Sequence, residues 1–480
     1  MLPAETSSSA EPRVNAPVDT LTPPPIALKL HTEPPIRWDY LATLFVILIA
    51  GFWSGRIAIL ENHQEDLWIY SSGSYFGFNG LTPYNTQRMH ARVAERWGGD
   101  PNLDGNNGFF LSPLAMLVFA PFAFVPWTLA KVFWCASMIA IGIAAAWHLR
   151  SFSTRPLPHG FTAIAVLAIF LNPLGMFVLV VGQTPFMILG FVVLGQVAYA
   201  RGYTRIGCCL WGLAFFKPHI ALPLLPLAWA LSGWRRALEV AIWAGVLNVL
   251  AGILTLGDPL FLREYLAYLP QGHKAVEFNR VELNQQITSW NRQIIAHGGP
   301  IFELGAVGTL AGYAAVLLLT AARGYASSRL VRPSWLFAMA ASSATVCCQL
   351  LPYELVLLAL ALPYFAELYL SGNRRDRTVF FGILAAIAFA FMSGGKDSPA
   401  DIFAHVVGGV FDRGFASLGW TTNCVHVLLS HRSIGALSVF TLILANGPSQ
   451  ESVTTSGGHQ SAERKFAEKE HEEALTLGRA

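Results

Sequence analysis

What most limits the folds open to this chain is a series of long apolar runs broken by short arginine clusters. Tyr40–Leu60, Leu129–Leu149 and Ala237–Leu256 each have the length, about 20 residues, that carries a helix across a bilayer. Apolar segments also fill Phe109–Val125, Phe161–Val181, Phe186–Ala200, Ile206–Leu231, Leu304–Thr320, Leu336–Leu350, Leu355–Leu370 and Phe380–Met392. Only 13% of the 480 residues are charged, against roughly 25% in a soluble domain. The fold class this implies is all-α and polytopic, an integral membrane protein. Backbone polar groups in hydrocarbon must be satisfied within the segment, which helices do.

A net charge of +3 without a basic, aromatic-studded stripe gives no reason to expect nucleic acid as a partner. The six cysteines lie in or beside apolar segments without ligand spacing and read as small core residues. His63, His273 and His297 are scattered, so no metal and no cofactor is expected.

Residues 1–36 are rich in proline and polar residues, and read as a disordered cytoplasmic tail. Residues 37–446 form the membrane domain, with a first outer loop over 61–108, and 447–480 read as a polar cytoplasmic tail. Arg37 precedes the first helix, and Glu61 and Asp66 follow it. The arginines at 201/205, 235/236, 323/329/332 and 374/375/377 mark loops on the Arg37 side. The positive-inside rule makes that side the cytoplasm. Ile206–Leu231, basic at both flanks, is then a hairpin of two short helices broken at Lys217-Pro218. Leu67–Phe78 and Thr86–Trp97 read as interfacial helices. Arg150 and Arg155 conflict with two crossings between Phe109 and Leu149. Either one segment there is re-entrant or Phe161–Val181 is split at Asn172-Pro173. The stretch 400–446 is interrupted by His426, His431 and Arg432 and is not assigned.

Chemistry in such a chain belongs to polar clusters at loops and helix breaks. Four of them fall on the outer side: Glu65, Asp66, Tyr70 and Tyr84; Gly182-Gln183; Lys217-Pro218-His219; and Asn284, Gln285, Gln286, Asn291 and Arg292, with Gln349, Tyr353 and Glu354 at another break. A lysine or arginine there can meet an anion, and a carboxylate facing that anion would complete a transferase site. Each residue also has a structural reading. Asp66 and Glu354 could cap helices, Lys217 could snorkel to headgroups, Arg292 could anchor there, and Tyr70 with Trp68 and Trp97 could form an aromatic belt.

Asp66-Leu-Trp-Ile-Tyr70 followed by Gly80-Leu-Thr-Pro83-Tyr84 resembles the first outer loop of glycosyltransferase family 87, which has the C-type membrane glycosyltransferase fold. Gly182-Gln183, Lys217-Pro218, and Asn284-Gln285 with Arg292 resemble further landmarks of that family in the same order, and Pro352-Tyr353-Glu354-Leu355 falls where it often has a polar pair. The resemblance spans roughly residues 40–392. Phe110-Leu-Ser-Pro113 replaces the usual Tyr-Pro-Pro, and Tyr353-Glu354 replaces the histidine-type pair of the mycobacterial mannosyltransferases.

The resemblance implies a multi-pass protein of the plasma (inner) membrane with its active site on the extracytoplasmic side. It also implies an inverting hexosyl- or pentosyltransferase that moves a mannose-like sugar from a polyprenyl-phosphate donor to a lipid or glycan acceptor. Asp66 would be the general base. Lys217 and Arg292 would hold the phosphate. Tyr70, Tyr84, Gln183, Asn284, Gln285, Tyr353 and Glu354 would line the substrate pocket. A transporter or flippase of lipid-linked sugars is the main alternative, and would be expected to show inverted repeats; no convincing self-similarity is visible. A non-catalytic assembly protein is the third reading.

Overall fold

The computed structural model of the protein describes residues 37–59, 64–85, 88–89, 108–153, 155–171, 173–275, 314, 318–319, 322, 333–347, 352–391 and 431–446. Both tails, most of the expected helices Thr86–Trp97 and Leu304–Thr320, and Asn284, Gln285 and Arg292 lie outside them. All the regular structure among the described residues is helical. The elements are α1 (Arg37–Ile59), α2 (Glu65–Phe78), α3 (Leu114–Ala123), α4 (Trp127–His148) running into a 3-10 turn to Phe152, α5 (Phe161–Phe170), α6 (Pro173–Val181), α7 (Pro185–Ala200) and α8 (Thr204–Leu213) with a 3-10 turn to Phe216. There follow α9 (Pro218–Ala221), α10 (Leu224–Ser232), α11 (Trp234–Leu256), α12 (Phe261–Ala275), α13 (Pro333–Cys347), a 3-10 helix (Pro352–Ala361), α14 (Leu362–Leu370), α15 (Arg374–Phe391) and α16 (His431–Ala445).

Among the described residues, three helical stretches are long and apolar enough to cross a membrane: Arg37–Ile57, Trp127–Phe152 and Trp234–Leu256. The pair α5 and α6, bent by 44°, makes a fourth if the two halves are one span.

The antiparallel pair α1 and α4 settles the conflict over Arg150 and Arg155. Trp147 near the end of α4 donates Nε1–H to Thr43 Oγ1 at 3.0 Å, and its ring lies 5.3 Å from that of Tyr40. At the other end Lys131 Nζ reaches the Ile57 carbonyl at 3.4 Å. Among the described residues, α4 is therefore the one crossing between Asp66 and Arg150. The segment expected as a crossing over Phe109–Val125 supplies only the ten residues of α3, about 15 Å of helix, and packs on α2, where Ser74 Oγ donates to the Met116 carbonyl at 2.5 Å. Arg150 and Arg155 thus lie at the Arg37 end. So does the start of α5, whose Ala163 N–H is capped at 2.9 Å by Asp39 Oδ1 from α1.

From there α5 and α6 lead to the Asp66 end, and α7 returns. The hairpin expected from the arginines is present: α8 runs back along α7, and the end of α10 returns to the end of α7, where Tyr199 and Ser232 share a hydroxyl–hydroxyl hydrogen bond. Its tip is the break from Phe216 to Pro218. Close backbone approach holds α7 to α8. A side chain at Gly207 would sit 2.7 Å from the Gly195 carbonyl, and one at Gly195 2.3 Å from the Trp211 ring, so only glycine lets these helices meet.

Two further expectations change. α2 is not a surface helix: ten of its fourteen residues are buried, as expected of a helix small or apolar on every face. Leu355–Leu370 is not one α-helix but a 3-10 stretch followed by α14, because Pro363 at the start of α14 has no N–H to continue a preceding ladder. The unassigned region supplies α16, tied down by Trp335 Nε1 on the Ile443 carbonyl at 2.9 Å and Tyr364 Oη on the Asn446 carbonyl at 2.9 Å. Buried Glu367 accepts from Ser153 Oγ at 2.5 Å and Ser334 Oγ at 2.8 Å, closing the Arg37 end.

Candidate active site

Four interruptions of helix meet at the Asp66 end. The first is the start of α2. Its N-cap is Gln64, held at φ 71, with no side-chain cap on the helix. Gln64 instead serves the last carbonyls of α6: its N–H donates to Val180 O at 3.0 Å and its Nε2 to Leu179 O at 3.0 Å. Carbonyls at a helix C-terminus otherwise lack partners, so this contact staples α2 to α6. Asp66, second in α2, is thereby set against the second interruption, Gly182-Gln183, between α6 and α7.

Gly182 adopts φ +76, and a Cβ there would sit 2.7 Å from Leu67 Cβ and 2.9 Å from Leu67 N. Glycine is required on both counts. The third interruption is the hairpin tip with Lys217, and the fourth is the start of the 3-10 helix, with Glu354 in its first turn. The loop before α3 ties the tip down: Ser112 donates its N–H to Phe216 O at 3.2 Å and its Oγ to Phe215 O at 3.1 Å. Asn248 Oδ1 accepts from the Leu114 N–H at 3.1 Å.

These breaks bring four polar side chains into one chain of contacts. Gln183 Nε2 donates to Asp66 Oδ2 at 2.6 Å. Lys217 Nζ donates to Gln183 Oε1 at 3.3 Å and forms an ion pair with Glu354 Oε1. Gln183 is 3%, Lys217 6% and Glu354 2% exposed, so the pair is desolvated. Asp66 keeps part of its surface open, yet the surrounding protein withholds water and raises its carboxyl to about 6, against the lowering effect of the Gln183 bond and the Lys217 charge. Tyr70, one turn on, lies beside Asp66, Gln183 and Glu354. Burial and then the two carboxylates hold its phenol well above the ordinary range, so it stays a donor.

This geometry decides several structural readings. Asp66 accepts from Gln183 and does not cap α2. Lys217 is buried and paired, not snorkelled, and Glu354 is turned to Lys217. Trp68 and Tyr70 are buried, not displayed as a belt.

Tyr84 lies elsewhere. Its hydroxyl donates to Leu111 O at 3.1 Å, and its ring stacks with Phe261 at 5.2 Å and Tyr268 at 5.1 Å. It clamps α12 to the loop before α3. Tyr84→Phe should therefore cost only about 1 kcal/mol. Tyr84→Ala should cost about 3–5 kcal/mol through the cavity it leaves. Thermal unfolding of the detergent-solubilised protein measures both; equal, small losses would remove the clamp. Tyr353 opens the 3-10 helix, but its side chain, with Asn284, Gln285 and Arg292, lies outside the described residues.

Sequence reasoning missed Gln64, Ser112 and Asn248. Asn248 carried a visible signal, a lone amide within an apolar helix. Gln64 carried none, because its work depends on where α6 ends.

The model of glycosyltransferase family 87 matches residues 109–352, just over half of the chain. The chain belongs to that family. It is a membrane glycosyltransferase, with a sugar donor and an acceptor as its substrates. The match includes Gln183 and Lys217 but stops short of Asp66 and Glu354, which join the site through the contacts above. No curated protein and no solved structure matched.

Proposed function

We propose that this member of family 87 is an inverting transferase that takes a mannose-like hexose or a pentose from a polyprenyl-phosphate donor to a lipid or glycan acceptor, with Asp66 as general base. The observation that supports this best is the convergence of a carboxylate with a buried cation at the ends of broken helices. Acceptor oxygen attacks the anomeric carbon. The bond from that carbon to the phosphate oxygen breaks, and the electron pair leaves with polyprenyl phosphate. The acceptor proton passes to Asp66. General base catalysis of this kind contributes about 10²–10⁴-fold, and the leaving phosphate needs no acid.

Negative charge growing on the phosphate needs cations already in place. Glu354 already offsets Lys217, so a phosphate at Lys217 calls for a second cation. Arg292 is the residue proposed for it, with Asn284 and Gln285 beside it. Tyr70 donates to a sugar or phosphate oxygen, and Tyr353 lines the pocket. The arginine distribution supports the plasma membrane, with the site opening on the extracytoplasmic side.

The test is transfer. Purified protein in lipid nanodiscs is incubated with radiolabelled polyprenyl-phosphate sugars and membrane lipids. A labelled glycolipid or glycan that appears only with the protein supports the reading, and no product with any such donor overturns it. The pH profile adds a sign. A base is useful when deprotonated, so kcat/KM should be level above about pH 6 and fall about tenfold per unit below it, following Asp66. A profile level down to pH 4.5 would exclude this carboxylate.

A further inference from the structure

We propose that Gln183 is a positioning residue: Lys217 fixes its amide oxygen, so its amide nitrogen must face Asp66, where it pins Oδ2 and leaves Oδ1 for the acceptor proton. This rests on the reading of Asp66 as base, and it gives Gln183 a role other than lining the sugar pocket.

An amide is neutral, with an acceptor at one end and donors at the other. Here a cation stands at one end and a carboxylate at the other, at 3.3 Å and 2.6 Å. Flipping the amide would face NH₂ to ammonium and oxygen to carboxylate, so the charges on either side select one orientation. The backbone is held too. Gln183 N–H donates to Val178 O at 3.0 Å, and Gly182 presses against Leu67 in the first turn of α2. Among the described residues Asp66 Oδ1 accepts no hydrogen bond, which leaves that oxygen to take the acceptor proton.

A carboxylate held by one oxygen cannot swing, which fixes the direction in which it takes a proton. The same amide carries the Lys217 field to Asp66 and opposes the cost of desolvation. The other charged or titratable groups around Asp66 are Glu65 on its own helix, Tyr70 one turn on and Glu354 behind Lys217.

Two variants of nearly the same shape test this. Gln183→Met keeps the length and removes donor and acceptor. Gln183→Glu keeps the acceptor for Lys217 and removes the donor. Infrared difference titration of the full-length protein in nanodiscs, with Asp66→Asn as the blank, reads the Asp66 carboxyl without any transfer reaction. Its midpoint should rise by at least about one pH unit in both variants. In the transfer assay the acid limb should rise with it, and kcat at pH 6.5 should fall about tenfold or more while the donor KM changes less than about threefold. An unmoved midpoint in either variant overturns the proposal, as does a loss confined to donor KM, which is what a pocket-lining residue would give. A midpoint that moves in a protein that transfers no sugar would uphold Gln183 as the group that sets Asp66 and overturn the transferase reading instead.

Discussion

Asp66→Asn is expected to fold, to bind donor and to lose transfer by about 10²-fold or more. Asparagine keeps an oxygen that can accept from Gln183 Nε2, now 2.6 Å from the carboxylate. It has nearly the same size, and the joint between α2 and α6 is made by Gln64, so that joint should survive. What it lacks is a lone pair basic enough to take the acceptor proton. Glu65→Gln is the control. Glu65 is exposed, and neighbours on a helix face about 100° apart, so its loss should matter far less. Transfer rate and donor affinity measured side by side decide the matter, and near-normal transfer by Asp66→Asn would sink the mechanism.

The second large effect concerns the buried pair. Lys217→Met leaves the Glu354 carboxylate, 2% exposed, without the cation that faces it, and Glu354→Leu leaves Lys217 in the same position. Removing one partner of a buried pair costs about 3–5 kcal/mol, whereas replacing both with apolar groups of similar volume is often neutral. Each single variant should therefore unfold at clearly lower temperature. The double variant Lys217→Met/Glu354→Leu should recover most of the stability and still transfer no sugar, because the cation proposed for the phosphate is gone. Unfolding in detergent and transfer in nanodiscs separate the two consequences. Single variants as stable as the parent would show that the pair is not the buried linkage described, and an active double variant would place the phosphate elsewhere.

Much of the site was legible before any coordinates. Asp66, Gln183, Lys217 and Glu354 each stand where a helix begins or breaks, with Tyr70 one turn beyond Asp66, and Pro185, Pro218 and Pro352 mark three of those breaks in the sequence. An ionisable or amide group at a break in an apolar chain is costly unless it has a partner or faces a cavity, so its presence already points to an environment. Tyr84 sat in an equally suggestive motif, but its ring and hydroxyl are used in packing against α12 and Leu111.

The sequence by itself determined the class of the protein and the shape of its hairpin. Long apolar runs can only be satisfied as helices in hydrocarbon, and arginines on both flanks of Ile206–Leu231 leave a re-entrant pair as the consistent path. It could not determine how many times the chain crosses between Asp66 and Arg150, because α3 and α4 are alike in composition and differ in length and partners. Nor could it pair Lys217 with Glu354, 137 residues away, or turn the Gln183 amide toward Asp66. Hydropathy is a property of each segment alone. Ion pairs, the orientation of an amide and the stapling of Gln64 to the end of α6 depend on which groups the packed helices bring within about 3 Å, and that was decided only by the tertiary structure.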